Sequence, residues 1–488
     1  MQALIDAISQ FYKSWCGKYP IQVDVLPQSG SDRRYFRVFG ESNNSVIATY
    51  GLNVAENETF IYFSDHFKNL QLNVPEILGV SYDKTIYLQE DFGDTALLDV
   101  LEQKGFGAEA YELFRKSLHE LARMQVLGDE ELNYERCLTN SEFGKQAIMA
   151  DLLYFKFYFL DALRKPYDKQ KLIDDFEALS NYLTHTEYKY FMFRDFQSRN
   201  IMVTDDNTVH FIDYQGGMKG APQYDVASIL WQARANLPDE WKQSLLDDYM
   251  NSFDEFIGAS LDRSVFKSQY NGYVLIRLLQ VLGAYGFRGL FERKAQFLTS
   301  IPLTLRNLRS FIDNNSIGIV VPEFKRVISI CVDDEIIERF TPVQADDNTK
   351  LTVKICSFSY RQGIPDDGSG NGGGFVFDCR GIDNPGRHDE YKEIHGRNRP
   401  VIDYLERQTR MQDFLNSVFD IVDITVEQYI KRGFDNLAVN FGCTGGQHRS
   451  VYAADALAAH LKNKYKVKIE LCHREQEAKN WVNKLPVQ

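Results

Sequence analysis

Asp195, in the run FRDFQSRN, is followed five positions later by Asn200, and Asp213 closes the next apolar run, TVHFIDY. Phosphoryl transfer to a hydroxyl needs a carboxylate near the acceptor and hard oxygen ligands for magnesium. This spacing can bring such groups together on two adjacent strand ends. On that reading Asp195 is the base, and Asn200 and Asp213 are the metal ligands; a polar turn in an ordinary hairpin is the alternative. A second cluster lies in NFGCTGGQHRSVYAADALAAHL, where five residues separate Cys443 from Arg449 and Ser450 follows directly. A loop between a buried strand and an apolar-periodic helix points backbone N–H groups at one spot, which favours an anion. Gly445 and Gly446 permit close backbone approach, and Arg449 offers a planar fork of donors for phosphate oxygens. Such a loop could hold a phosphate ester, or Cys443 could attack one as a thiolate.

The elements that must position these groups can be read from periodicity. After an opening helix, IQVDVLPQSGSDRRYFRVFGESNNSVIATYG gives three strand-like runs, with turns at PQSGSD and GESNN. A helical segment holding Glu56 and Glu58 follows, then a strand KTIYLQEDFGD ending in a Gly turn. From about Leu97 to about residue 312 helical patterns dominate, interrupted by the strand pair FMFRDF and TVHFIDY. This order predicts a β-rich small lobe ahead of an α-rich large lobe. The polar stretches IDNNS and QADDNTK bracket a helical tail, and the second places a domain boundary near residue 345. Beyond it LTVKICSFS, GFVFDCRG and NLAVNFG read as buried strands, separated by the Gly-rich loop PDDGSGNGGG and by helices, as in an α/β layer.

At 488 residues the chain exceeds one ordinary core, so two or three domains are expected. Its 44% hydrophobic and 25% charged fractions are those of a soluble globular protein. A formal net charge of −13 argues against a whole-chain nucleic-acid or membrane-surface binder. Seven cysteines without a C-x-x-C pair fit a reducing compartment better than a disulfide framework. No stretch reads as a secretory leader or a membrane span, and a cytoplasmic protein is expected.

Over about the first 340 residues the chain resembles the aminoglycoside-phosphotransferase-like kinases, and within them the anomeric sugar kinases of the AmgK type. The pieces GSDRRYFRV, VPEILGV, LQEDFGD, FRDFQSRN, IDYQGG, QYDVAS and LGAYGFRGLFERKAQFLTSIP carry the likeness. It implies an ATP- and Mg2+-dependent kinase acting on the anomeric hydroxyl of an N-acetylmuramate- or N-acetylglucosamine-type amino sugar, in cell-wall recycling. It also implies a phosphate-covering turn at Ser29, Gly30 and Ser31, and a nucleotide hinge at Gln89, Glu90 and Phe92. Phe193 stands where many such kinases carry His, and no lysine occurs between Lys18 and Lys68, so the small-lobe lysine is missing. Arg33, Arg34 or Arg37 would then supply its charge, with Glu58 at the right distance to pair with it.

The last 138 or so residues resemble the C-terminal domain of the RapZ family, through SFSYRQGIP, FVFDCRGIDNP, GRNRPVIDYL, GCTGGQHRSV and the final HRE. That resemblance implies that Cys443, Thr444, Gly445, Gly446, His448, Arg449 and Ser450 seat a hexosamine phosphate such as glucosamine 6-phosphate. Arg380, Asn384, His395, Arg397 and Arg399 fall in the matching pieces and would suit phosphate or RNA contacts or stand as solvated charges, while His448 and His473 are read either as ligands or as core or rim histidines. The competing phosphatase reading takes Asp366, Asp367 or Asp383 as general acid, but Gly442 replaces the His that phosphatases usually place before the cysteine. No Walker-type G-x-x-x-x-G-K appears. The expected architecture is therefore multidomain, α/β and α+β: a bilobal kinase-like domain over 1–343, then a small α/β domain with a phosphate-binding loop over 350–488. A regulatory adaptor with a degenerate kinase half is the competing class. RNA is the less favoured partner, and self-association is left open.

Overall fold

The computed structural model describes residues 2–27, 33–41, 45–292, 295–341, 343–366, 368, 370 and 373–479. The chain divides into two compact units, Met1–Phe287 with Ser300–Ile337, and Arg288–Thr299 with Glu338–Gln488.

The first unit opens with helix α1 (Gln2–Cys16) and an antiparallel sheet, β1 (Gln22–Val25), β2 (Arg34–Phe39), β3 (Ser45–Tyr50), β4 (Ile77–Val80) and β5 (Ile86–Glu90), in the order β1-β2-β3-β5-β4. Strand alternation divides the sheet chemically. Phe36, Val38, Val46, Ala48, Ile86 and Leu88 form one face, which Ile8 and Tyr12 of α1 cover. In register on the other face are Tyr35, Thr49 and Tyr87, beside Arg37, Ile47 and Gln89. Helix α2 (Val54–Asn69) connects β3 to β4. The large lobe is helical, and α3 (Ala108–Gly128), α4 (Lys145–Phe155), α5 (Gln223–Leu230) and α6 (Arg263–Tyr285) bear on the site. Residues Arg263–Phe291 form a helix apolar and long enough to cross a membrane, but 56% of its most apolar window is buried, as in a core helix.

Two short antiparallel strand pairs interrupt these helices. The runs FMFRDF and TVHFIDY do not pair with each other, contrary to the adjacency read from the sequence. Instead β6 (Tyr190–Met192) pairs with β9 (Met218–Gly220), and β7 (Ile201–Val203) with β8 (Val209–Phe211). Residues 193–200 and 212–217 are thereby left as two loops, one carrying Asp195 and Asn200 and the other Asp213.

The second unit is built on a parallel sheet of β10 (Thr352–Ser359), β11 (Phe375–Asp378), β12 (Asn436–Cys443) and β13 (Lys468–His473), ordered β11-β12-β10-β13. Seven of the eight β12 residues are buried, as expected of a strand covered on both faces. Leu437, Val439 and Phe441 share a core with Val418 and Val422 of α7 (Met411–Arg432) and Leu457 of α8 (Arg449–Tyr465). The short helix α9 (Arg474–Ala478) follows β13. From β10 the chain passes over β12 to reach β11, and from β12 it passes over β10 to reach β13. The carboxyl ends of β10 and β12 therefore part at a topological switch point, where open α/β sheets form a crevice.

Candidate functional site

In the first unit the Asp195 loop is fixed from beneath. The N–H groups of Phe193 and Arg194 donate to the two carboxylate oxygens of Asp225 on α5, at 2.7 and 2.9 Å, and Gln125 Nε2 of α3 donates at 2.9 Å. Burial pushes the Asp225 carboxyl up to about 7, against the pull of these donors and of Arg277. Arg194 has φ +80° and directs Nη2 to both oxygens of Asp151 on α4, each at 2.8 Å. Asp195 then projects with its side chain 48% exposed, and its Oδ1 accepts from Nη2 of the buried Arg277 of α6 at 3.2 Å.

Asn200 Nδ2 donates to the Asp195 carbonyl at 2.9 Å and lies 3.5 Å from Asp213 Oδ2. The Asn200 amide oxygen and the Asp213 carboxylate are hard oxygen donors of the kind a small divalent cation takes while retaining waters, so the residues fit Mg2+. Asp213 Oδ1 accepts from Arg33 Nη2 at 2.7 Å and from Gln215 Nε2 at 3.0 Å. Arg33 is buried, and its Nε is also 3.2 Å from Glu56 Oε1 of α2.

This arrangement separates the three arginines. Arg33 joins the Asp213 cluster. Arg34 alternates to the face of Phe36 and Val38 and does not. Arg37 is a strut: it donates to Asp91 at 2.7 and 3.1 Å and to Asp94 at 2.5 Å, tying β2 to the segment after β5. Glu58 pairs with Lys84 at the surface, so Glu56 is the carboxylate that reaches the arginine. Gln89 is buried in β5, Glu90 pairs with Lys68 at 3.0 Å, and Phe92 stacks on His210 with centroids 4.0 Å apart. Ser29, Gly30 and Ser31 lie outside the described residues. Local pattern assigns no role to Asp225, Arg277 or Gln215 and places Glu56 only as a helix residue, although IDYQGG and QYDVAS hold Gln215 and Asp225 and Arg277 stands out as a single cation in YVLIRLLQVL.

In the second unit, the switch point holds the cysteine loop, with Ser359 in register with Cys443. Cys443 Sγ accepts from the Gly446 N–H at 3.2 Å and lies 3.2 Å from Ser450 Oγ, while Ser359 Oγ donates to the Thr444 carbonyl at 2.7 Å. Thr444 and Gly445 are exposed. Arg449 is buried at the start of α8; its Nη1 donates to the carbonyls of Ile382 and Arg380 at 2.6 and 3.3 Å, and its Nε has no partner. Gly446 has φ +63°, and a Cβ there would overlap Glu475 Cγ and come within 3.1 Å of the Ser359 nitrogen. Gly446→Ala is expected to lower stability by about 1–3 kcal/mol, read as a lower urea midpoint. An unchanged midpoint would show that the loop accepts a side chain.

The remaining candidates around this loop have partners within the protein. His448 is buried with Nε2 2.8 Å from the Tyr391 carbonyl, and burial lowers its pKa, so the ring ties the loop to the 391 segment. His473 is buried between Ser357 Oγ at 2.8 Å and Asp455 at 3.1 Å, and Arg397 grips the same Asp455 at 2.6 and 2.7 Å. Arg399 pairs with Asp403 at 2.8 Å, Asn384 caps the turn at Gly386, and His395 Nδ1 accepts from the Arg397 N–H at 3.3 Å. Arg380 pairs with Asp378 and sits over the Tyr360 ring. Asp366 and Asp383 are exposed, and Asp367 lies outside the described residues. The glycine at 442 has a packing cause, because a Cβ there would overlap Tyr360 and come within 2.6 Å of Phe358 Cζ.

Residues 25–256 match the phosphotransferase enzyme family, and residues 351–477 match the RapZ C-terminal domain. A nucleotide-binding protein of Fusobacterium nucleatum is 27% identical over 298 residues, covering 54% of this chain and 97% of that protein. One from Endomicrobium trichonymphae is 36% identical over 157 residues, 32% of this chain and 50% of that protein. Thus, after the first of these relatives, the chain spans half their length or less. Among solved structures, the choline kinase LicA of Streptococcus pneumoniae aligns at a TM-score of 0.42 and 12% identity, over 64% of this chain and 99% of that one.

Proposed function

The chain joins a domain of the phosphotransferase enzyme family to a RapZ C-terminal domain, and from that premise we propose that it transfers the γ-phosphoryl group of ATP to the anomeric hydroxyl of an amino sugar and holds a hexosamine phosphate in its C-terminal crevice. The observation that carries the first half is the convergence of Asp195, Asn200 and Asp213 on two neighbouring loops, with Arg33 against Asp213. Asp195 accepts the proton of the sugar hydroxyl as the oxygen attacks phosphorus, and Arg277 keeps that carboxylate oriented. Asn200 and Asp213 would hold Mg2+, which when bound would neutralise charge on the transferred group. From the family resemblance, Gln89, Glu90 and Phe92 are assigned to the adenine hinge, and Ser29, Gly30 and Ser31, outside the described residues, to phosphate binding. The N-acetylated amino sugar and a cytoplasmic location are inferred from the family resemblance.

Arg33 takes the part of the missing lysine: a buried cation bracketed by Glu56 and Asp213 can reach nucleotide phosphates with the rest of its fork. Arg33→Met is expected to reduce kcat/KM for ATP by about 10- to 100-fold, with Arg33→Lys retaining part of the loss. Unchanged kinetics in Arg33→Met would move the phosphate-binding charge elsewhere.

For the C-terminal loop, the switch-point crevice, the exposed Thr444 and Gly445, and the incomplete pairing of Arg449 support holding. The Gly446 N–H donates to Cys443 Sγ within this loop, which keeps phosphate-ester hydrolysis as the second reading. The first half is tested by ADP release from ATP with a panel of hexoses, amino sugars and amino alcohols. An amino sugar is expected to be the best acceptor; a best acceptor outside that class would overturn the assignment.

A further inference from the structure

Strands β10 and β13 run parallel and in register, and their paired side chains meet. Ser357 and His473 are partners in that register and are hydrogen-bonded at 2.8 Å. One residue earlier the partners are Cys356 and Cys472. Alternation turns these two to the opposite face of the sheet, the face of the pairs Thr352 with Lys468 and Lys354 with Glu470, away from the core that Val353 and Ile355 join. Both thiols are half-buried, so a small solute can reach them. Neighbouring strands lie about 4.8 Å apart, inside the roughly 4.4–6.8 Å separation of Cα atoms that a disulfide spans.

The surroundings make the two sulfurs unequal. They are in hydrogen-bonding contact with each other, and that contact, with the Arg474 backbone N–H, pulls the Cys356 thiol below its usual range against its partial burial. The same contact, burial and Glu477, whose Oε2 lies 3.6 Å from the sulfur, push Cys472 up. A thiolate nucleophile beside a protonated resolving thiol is the arrangement that oxidant-sensitive pairs use. We propose that Cys356 and Cys472 form a reversible oxidation site, at which a hydroperoxide converts the dithiol into a disulfide that ties β10 to β13. The Cys356 thiolate attacks one peroxide oxygen and the O–O bond breaks. One oxygen stays on sulfur as a sulfenic acid, and the other leaves as hydroxide, which takes up a proton to become water. Cys472 then attacks the sulfenic sulfur: the S–S bond forms, the S–O bond breaks, and the hydroxyl leaves with the Cys472 proton as a second water. Two electrons pass from the pair to the peroxide, and a dithiol reductant returns them. The site lies apart from both readings given above and depends on neither.

The test treats the reduced full-length chain with a small molar excess of hydrogen peroxide, blocks the remaining thiols, digests without reduction and maps the peptides by mass spectrometry. The peptides of Cys356 and Cys472, joined and lighter by two hydrogens than their sum, are expected as the main oxidised species, and dithiothreitol before digestion should remove it. Cys16 is an exposed thiol, so oxidation governed by exposure alone would strike there first. In C472S the resolving thiol is gone, and dimedone should label Cys356 as the sulfenic acid. In C356S at the same dose, Cys472 should stay unlabelled. The wild-type map decides the matter even if a variant fails to fold. Recovery of Cys356 and Cys472 on separate peptides after peroxide, or joined only to other cysteines, would overturn the site. Labelling of Cys472 in C356S equal to that of Cys356 in C472S would overturn the role of Cys356 as nucleophile.

Discussion

In the Asp195→Asn variant, ATP-dependent phosphorylation of the preferred sugar is expected to fall by a factor on the order of 10² or more, while nucleotide affinity stays near the wild-type value. The substitution removes the base and little else. The peptide that carries Asp195 is held by Asp225 through the N–H groups of Phe193 and Arg194, not by the Asp195 side chain. An amide at this position can still accept from Arg277, so the orientation of the loop survives, but it cannot take the hydroxyl proton. Single-turnover rates alongside ATP titration would check both halves. Near wild-type transfer by the folded variant would remove Asp195 from the role of base.

Arg449→Ala is expected to lose roughly 2 to 4 kcal/mol of hexosamine-phosphate binding, whereas Cys443→Ser should keep that affinity. The contrast follows from what each side chain provides. A thiolate is indispensable to hydrolysis and not to holding. Arg449 supplies a buried charge next to the loop, and it also ties the carbonyls of Ile382 and Arg380. Because truncation would loosen the 380 segment as well, Arg449→Lys belongs beside it: lysine keeps the charge and loses the fork, and an intermediate affinity is expected. Calorimetry with a thermal melt of each variant separates lost contact from lost fold. Phosphate release from hexosamine phosphates by wild type, abolished in Cys443→Ser, would reassign the loop to hydrolysis.

The groups that the sequence made legible are those whose relation is local. Asp195 and Asn200 lie five positions apart and Asp213 lies two residues past the end of β8, and the loop from Cys443 to Ser450 is a single strand-to-helix turn. The period-2 alternation of β2, β3 and β5 was equally readable, yet it left three arginines as equals. The observed register separates them, sending Arg33 to Asp213 and Arg34 to the α1 face. Two residues separate Glu56 from Glu58 along the helix, and only the placement of α2 and the competing partner Lys84 decide between them. Arg277 reaches Asp195 across 82 residues and Asp225 reaches Arg194 across 31, contacts that no local pattern encodes. His448 has a distant partner as well. It sits inside the motif, but the 391 segment, 57 residues away, captures its ring.

The central claim is that this chain places a phosphoryl group on the anomeric oxygen of an amino sugar. Phosphorus–proton coupling in the NMR spectrum of the purified product tests it most directly, because it identifies the carbon that bears the phosphate. After incubation of the full-length chain with ATP, magnesium and N-acetylmuramate or N-acetylglucosamine, the product is predicted to show phosphorus coupled to the anomeric proton of the sugar. Phosphorus coupled to the protons of any other ring or side-chain position, or no sugar phosphate at all with either acceptor, would contradict it.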